Sequence, residues 1–125
     1  MARRVFVLDD DLTTLNIIEE ILCAADFKVK KFLDSNSLFE ALKTHNPSLV
    51  ILDIMMPNVD GIHVCEKLKT FPNVASVPIV MLSAKVSDNS KKGAFSAGAS
   101  GFITKPFTAR ELVAAVKTYI ELYNI

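Results

Sequence analysis

The stretch Leu49-Val50-Ile51-Leu52-Asp53 decides the fold, because four apolar residues in a row end at a carboxylate. A strand with one face in water alternates apolar and polar residues, so this unbroken run predicts a strand buried on both faces. Strands of that kind occur in parallel sheets that carry helices on both sides. The run therefore predicts an α/β architecture.

Outward from this strand, short apolar runs alternate with longer segments of helical period. Four further strands are predicted, at residues 5–8, 28–32, 77–82 and 101–103. The second of them alternates lysines with Val29, which predicts a strand nearer the edge of the sheet. The chain thus contains five βα units without a linker. We expect a doubly wound, five-stranded parallel sheet between two helical layers, in an order that the pattern leaves open.

Polar and cyclic side chains indicate where the helices begin and end. Asp11 and Asp60 are predicted N-caps of the first and third helices, and Ser35-Asn36-Ser37 supplies cap candidates for the second. Pro47 is expected to end the second helix. Residues 89–97 have a weak helical pattern, and a stronger amphipathic helix follows Pro106.

Composition narrows the classes of protein and partner. A chain of 125 residues predicts one domain, residues 1–125. Basic and acidic residues number 14 each, and the lysine clusters at 28–31 and 91–92 lack interleaved aromatics, so direct nucleic-acid binding is not expected. No apolar run is long enough to cross a membrane, which favours a soluble cytoplasmic protein.

The cysteines and histidines predict no metal site or disulfide. Cys23 and Cys65 both fall in apolar helical patterns and are expected to be core or near-core thiols in a reducing compartment. His45 and His63 lie in polar helical positions without a partner at metal-ligand spacing, so we expect both at the surface.

Polar residues follow four of the predicted strands directly. Asp9 and Asp10 come after the first strand, Asp53 after the third, Ser83 after the fourth and Lys105 after the fifth. In open α/β sheets, ligands bind at the carboxyl ends of the strands. We therefore expect these side chains to converge in one crevice.

These residue types together predict phosphoryl chemistry. Three carboxylates packed together repel one another unless a cation compensates them, and an all-oxygen site that keeps some waters suits Mg²⁺ or Mn²⁺. A carboxylate beside such a metal can attack phosphorus and form an acyl phosphate. Lys105 would neutralise the phosphoryl oxygens, and Ser83 would donate a hydrogen bond to one of them.

Each of these residues also has a structural interpretation. The aspartates and Ser83 could cap helices or turns, and Lys105 could be a solvated loop residue. Four suitable residue types at four strand ends favour a functional site over four separate coincidences.

The sequence resembles the receiver domains of bacterial two-component response regulators from Val5 to about Tyr123. The resemblance is carried by the acidic pair Asp9-Asp10 and by the stretch 52–61, Leu-Asp-Ile-Met-Met-Pro-Asn-Val-Asp-Gly. Two further motifs are Met-Leu-Ser-Ala at 81–84 and Lys-Pro-Phe at 105–107. The resemblance implies a flavodoxin-like fold with strand order 2-1-3-4-5.

The resemblance also implies a role for each site residue. Asp53 matches the phosphorylated aspartate. The metal ligands would be Asp9, Asp10 and Asp53 with the backbone carbonyl of Met55. Ser83 and Lys105 match the groups that contact the phosphoryl group, and the Lys105–Pro106 bond is cis in this family. Phe102 matches the switch aromatic, Met55 and Lys85 match the variable positions that flank the site, and Asp26 stands where many relatives have glycine.

The implied activity is phosphoryl transfer from a phosphohistidine on a sensor histidine kinase or a phosphotransfer protein. Phosphorylation would bias a two-state element formed by Ser83, residues 85–98 and Phe102, and so reach an output domain or a partner protein. The domain would catalyse only its own phosphorylation and dephosphorylation. The kinase, the output, the phosphoryl lifetime and a homodimer through the face formed by residues 85–123 stay open, as does whether the chain acts alone or as part of a longer protein.

Three other functions fit this sequence less well. A haloacid-dehalogenase-type phosphatase needs a second aspartate two residues after the nucleophile, where this chain has Met55. A nucleotide or flavin binder needs glycines in the first βα loop, which has none. A phosphorylation-independent interaction domain of the same fold usually lacks one of the key residues, and here all are present.

Overall fold

A computed structural model of the chain describes residues 3–56, 59–84 and 88–123. The strands within these ranges are β1 (Arg4–Leu8), β2 (Lys28–Phe32), β3 (Leu49–Asp53), β4 (Met55–Met56), β5 (Val59–Asp60), β6 (Ile79–Ser83) and β7 (Gly101–Thr104). The helices are α1 (Leu12–Ala24), α2 (Ser35–Ala41), α3 (Gly61–Leu68), α4 (Asp88–Ser96) and α5 (Ala109–Tyr123).

Five parallel strands form the main sheet in the order β2-β1-β3-β6-β7. The short strands β4 and β5 pair antiparallel in a separate hairpin, so β6 and β7 are the fourth and fifth strands of the main sheet. The predicted fold class and the order 2-1-3-4-5 are therefore confirmed. The fourth strand begins at Ile79 rather than Val77, because the Val77 amide donates to the carbonyl of Val74 in a turn.

The sheet separates two apolar cores, and β3 contributes to both. Leu49 and Ile51 face the layer of α1 and α5, whereas Val50 and Leu52 face the layer of α2, α3 and α4. All four side chains are fully buried. Successive residues of a strand point to opposite faces, so burial on both sides explains why this run contains no polar residue.

Three aspartates cap helices by accepting hydrogen bonds from backbone amides. Asp11 accepts from Thr13 at 3.1 Å, and Asp60 accepts from Ile62 at 2.9 Å, as predicted. The prediction for α2 was wrong, since its cap is Asp34, whose Oδ1 accepts from the Ser37 amide at 2.8 Å. Ser35-Asn36-Ser37 forms the first turn instead, because a carboxylate one residue earlier reaches the free amide.

Pro47 does not end α2. The helix stops at Ala41, and a turn follows in which the Thr44 and His45 amides both donate to the Ala41 carbonyl. Pro47 lies beyond this turn, so the prediction that it terminates the helix was wrong.

The two cysteines differ in exposure. Cys65 is buried, as predicted, but Cys23 is exposed, so the prediction that it is a core or near-core thiol was wrong. The buried face of α1 consists of Leu15, Ile18 and Leu22, and Cys23, the residue after Leu22, is rotated by about 100° away from that face.

The two histidines also differ in exposure, since His63 is exposed and His45 is half-buried.

Two backbone features match expectations. Asp26 has a φ of 70°, in the left-handed region that glycine usually occupies, and the Lys105–Pro106 peptide bond is cis. No helix in the described part of the chain is long and apolar enough to span a lipid bilayer.

Candidate functional site

The carboxyl ends of four neighbouring strands carry the predicted site residues to one edge of the sheet. Asp9 and Asp10 follow β1, Asp53 is the last residue of β3 and Ser83 is the last residue of β6. Lys105 follows β7, whose final residue pairs with Ser83. Because the strands are parallel and adjacent, residues far apart in sequence become neighbours, as the sequence predicts.

Three polar side chains of this edge are almost completely buried. Relative exposure is 0% for Asp9, 4% for Asp53 and 1% for Ser83, and within the described ranges no other polar or charged residue is buried to this degree. Burying a carboxylate costs free energy unless charge or hydrogen bonds compensate it. The concentration of buried polar groups at one point therefore distinguishes this edge from the rest of the molecule.

The three acidic side chains form a cluster. Carboxylate oxygens of Asp9, Asp10 and Asp53 all lie within 4.8 Å of one another. Partial burial, a side-chain hydrogen bond with Asp9 and the negative charge of Asp9 together raise the pKa of Asp10 above its usual value. The cluster thus carries repulsive negative charge that a cation would relieve.

Lys105 supplies the one cation that contacts this cluster among the described residues. Its Nζ lies 3.2 Å from Oδ2 of Asp9 and 3.5 Å from Oδ2 of Asp53. Burial opposes its positive charge, but the carboxylates of Asp53 and Asp9 outweigh burial and raise the pKa of Lys105. The Lys105 amide also donates to the Ser83 carbonyl at 2.8 Å, which ties the end of β7 to the end of β6.

Asp9 and Asp53 are held in the same way. Oδ1 of Asp9 accepts from the Asp11 amide at 3.0 Å, and Oδ1 of Asp53 accepts from the Met55 amide at 3.1 Å. In both side chains the second oxygen, Oδ2, faces Lys105. Fixed orientation of this kind leaves one defined oxygen of Asp53 for further interactions.

Gly61 positions the loop that follows Asp53, and sequence reasoning did not single it out. Its amide donates to the Ile54 carbonyl at 3.1 Å. A Cβ at this position would overlap the carbonyl oxygen of Asp53 and lie 2.8 Å from Cα of Ile54. The available signal was a glycine directly after a helix cap, where helix propensity alone would favour another residue.

Met55 lies beside the site, and Phe102 lies on β7, the strand whose last residue pairs with Ser83. The Met55 side chain is 72% exposed, and its backbone lies beside the Asp53 carboxylate in the β4–β5 hairpin. The half-buried Phe102 ring packs edge-on against Phe95 of α4, with ring centroids 5.3 Å apart. Lys85, the other predicted flanking residue, lies outside the described residues.

Residues 5–117 match the family described as the response regulator receiver domain. The fold is also similar to chemotaxis protein CheY4 of Vibrio cholerae, with a TM-score of 0.92 and 21% identity over 95% of this chain and 99% of that one. A CheY-like receiver domain protein of Methanospirillum hungatei JF-1 gives a TM-score of 0.91 and 21% identity, covering 99% of this chain and 98% of the other.

A third similar structure is NtrX of Brucella abortus, determined in complex with ATP. Its TM-score is 0.90 at 27% identity, and the match covers 99% of this chain but only 28% of NtrX. The same fold thus occurs both as nearly a whole chain and as part of a longer one.

Proposed function

The chain belongs to the response regulator receiver domain family, and we propose that it works as a phospho-acceptor switch in which Asp53 takes a phosphoryl group. One observation carries the proposal: a buried aspartate at a strand end lies among two further carboxylates and one lysine ammonium. This set supplies a nucleophile, the ligands of a divalent cation and a positive group for phosphoryl oxygens.

The acidic cluster fits a small, hard cation. Oxygen ligands from Asp9, Asp10 and Asp53 lie close enough to bind one ion, and carboxylates are preferred ligands of Mg²⁺ and Mn²⁺. The Met55 backbone carbonyl is the proposed fourth protein ligand. When bound, the ion would offset the charge of the cluster and of the incoming phosphoryl oxygens.

In the proposed step, Oδ2 of Asp53 attacks the phosphorus of a phosphohistidine. This oxygen is available because Oδ1 accepts the Met55 amide. A P–O bond forms as the P–N bond breaks, and the electron pair of that bond returns to the imidazole nitrogen. The Lys105 ammonium, 3.5 Å from Oδ2, can then contact the transferred phosphoryl oxygens. Hydrolysis of the acyl phosphate would reset the domain, which we propose has no other catalytic activity.

A protein donor suits the surface beside the site. Leu12 and Ile17 of α1 are 52% and 46% exposed. A cavity of about 260 Å³ lies between Ile17, Lys105 and Phe107, with Thr14 and Pro106 completing its lining. Apolar side chains next to the proposed nucleophile favour docking of a histidine kinase or a phosphotransfer protein over a small donor alone.

The proposed signal passes through Ser83 and α4 to Phe102. Phosphorylation of Asp53 adds about −1.5 to −2 charges at the end of β3, and β6, which ends at Ser83, is the adjacent strand. Phe102 contacts Phe95, and Phe95 is 50% exposed on α4, so a shift of this aromatic pair would change the outer surface. An output domain, a partner protein or a second copy of the chain could recognise that change.

The direct test is incubation with acetyl phosphate and Mg²⁺ followed by intact-mass spectrometry. We expect a gain of one phosphoryl group that chelation of the metal prevents and that Asp53→Asn abolishes. Asp60→Asn is the matched control, since it changes an exposed helix cap and leaves the cluster intact. If a purified phosphotransfer donor also fails to label folded protein, the phospho-acceptor proposal is wrong and a phosphorylation-independent interaction domain replaces it.

A further inference from the structure

A basic cavity lies at the opposite end of the strands from the acidic cluster. It has a volume of about 430 Å³ and is lined by Arg4 at the start of β1, by Lys28 and Lys30 of β2, and by His45. Small-molecule sites in proteins generally measure about 300–1,000 Å³, so a molecule larger than one phosphate ion fits here.

The cations are placed together by strand geometry. Arg4 and Lys28 are register partners on adjacent parallel strands, and the strands lie about 4.8 Å apart. Lys28 and Lys30 share one face of β2 and are about 6.6 Å apart along the strand. Like charges on neighbouring positions repel, and a bound anion would relieve that repulsion more strongly than solvent and salt do.

Among the described residues, no acidic side chain is paired with these cations. None of the described side chains that line the cavity is acidic, and within the described ranges Arg4, Lys28 and Lys30 form no ion pair. Lys31 on the same strand behaves differently, because its Nζ lies 3.0 Å from Glu19 and 2.9 Å from Asn16.

Protection of the sheet edge does not account for the whole arrangement. Lysines on an edge strand discourage pairing with other chains, and β2 is an edge strand. That role requires neither Arg4 on the neighbouring strand nor a cavity that the three cations share.

The geometry points to a binding site for a small anion that carries two or more phosphate groups. Three formal positive charges call for a ligand of similar negative charge in a small volume, which one carboxylate does not supply. The Arg4 guanidinium suits two oxygens of one phosphate, and the lysine ammonium groups suit the next. This site is separate from Asp53 and does not depend on the proposed phospho-acceptor function.

The test uses sodium pyrophosphate as the probe, in buffer with EDTA, against ¹⁵N-labelled protein and by calorimetry. We expect saturable 1:1 binding that weakens with added salt and shifts the amide signals of residues 28–30 and 45. Lys28→Gln with Lys30→Gln should weaken binding about tenfold or more, because two charge-assisted contacts are lost. Lys31→Gln, on the other face of the strand, should change it little.

Three outcomes overturn the inference. Binding that never saturates, or that is equally strong in the double variant, means an adventitious ion only. Signal shifts centred on Asp53 and Lys105 would assign the anion to the other end of the sheet. Binding to phosphatidylglycerol vesicles without binding to pyrophosphate would make the basic surface a membrane contact instead. Thermal unfolding of each variant verifies that the fold is retained.

Discussion

Gly61 and Asp53 are in direct backbone contact, so close that any side chain on Gly61 would overlap the Asp53 carbonyl oxygen. The first residue of α3 thereby presses the helix against the end of β3. The Gly61 amide donates to the Ile54 carbonyl in the same contact. The position of the Asp53 carboxylate thus depends on a residue that carries no functional group.

Gly61→Ala should therefore damage both stability and the site. The new methyl group must push the backbone of residues 53 and 54 away, at a cost of about 1–3 kcal/mol. We expect a lower urea midpoint and slower labelling of Asp53 by acetyl phosphate in the protein that remains folded.

Gly93→Ala is the matched control. Its Cβ would lie 3.3 Å from the flexible end of Ile62, and alanine favours a helix more than glycine does. The control should have unchanged or slightly higher stability and normal labelling. Equal effects of both substitutions would contradict the special role of Gly61.

Asp10→Asn should stabilise the protein in the absence of metal. The raised pKa of Asp10 results from burial and from its contact with Asp9, and removal of one negative charge relieves the cluster. Saturating Mg²⁺, at about one hundred times its dissociation constant, should stabilise the native chain by about 2.7 kcal/mol. In the variant, that gain should largely disappear. Thermal unfolding with Mg²⁺ and with EDTA measures both effects.

The control for this charge change is Asp11→Asn. Asp11 caps α1 by accepting from Thr13 and lies outside the cluster, and asparagine is an equally good cap. A loss of the Mg²⁺ effect in this control would mean that general surface charge, rather than the three clustered carboxylates, determines the ion's effect.

Burial on both faces of the sheet explains why much of the fold was predictable. A strand such as β3 has no face in contact with solvent, so an unbroken run of apolar residues predicts that it lies inside the sheet. The polar residue at the end of that run then indicates the edge of the sheet where ligands bind. The same logic located Asp9, Ser83 and Lys105. The strand order came from the resemblance to receiver domains, because the apolar pattern of a buried parallel strand does not indicate which other strands lie next to it.

Features fixed by tertiary contacts were not predictable. The exposure of Cys23 depends on which side of α1 faces the sheet. Apolar residues of α1 also lie outside the buried face, so the sequence pattern alone does not decide which side is buried. The close approach of Gly61 depends on the path of the loop after β3. The capping role of Asn73 at the end of α2 depends on a segment about thirty residues away.

The thiols should react at very different rates. Cys23 is exposed and Cys65 is fully buried, with its Sγ 3.6 Å from the Ala97 carbonyl oxygen. A disulfide reagent at neutral pH should modify one thiol per folded chain, and none in Cys23→Ser until denaturant is added. Two rapidly modified thiols in native protein would mean that the contact between α3 and the end of α4 opens readily.

The Cys65 thiol should also make stability fall at alkaline pH. Burial raises the pKa of Cys65 from 9.0 to about 11 in the folded protein. Between those values the unfolded chain has released the proton and the folded chain has not, so stability decreases as pH rises, by at most about 1.4 kcal/mol per pH unit. Burial lowers the pKa of Lys69, which acts in the opposite direction.

Comparison with Cys65→Ala separates the two effects. The free energy of unfolding in urea should fall less steeply from pH 9 to pH 11 in the variant than in the native sequence. The difference in slope, and not the absolute stability, is the relevant quantity, because alanine also leaves a cavity. Parallel pH profiles would show that Cys65 ionises normally.

Asn73→Asp should destabilise the fold through the end of α2. Nδ2 of Asn73 donates to the Leu42 carbonyl at 2.8 Å and to the side-chain Oδ1 of Asn46 at 3.1 Å. The first of these bonds gives a partner to a backbone carbonyl at the C-terminal end of α2. A carboxylate cannot donate a hydrogen bond and would face those oxygens, which should lower the free energy of unfolding in urea by about 1–3 kcal/mol.

Asn16→Asp makes the same chemical change with the opposite expectation, because Oδ1 of Asn16 accepts from the Lys31 ammonium at 2.9 Å. The carboxylate keeps that contact and adds an attractive charge, so stability should be unchanged or slightly higher at low salt. If both variants lose the same stability, the donor role assigned to Asn73 is wrong and the effect belongs to added negative charge in general.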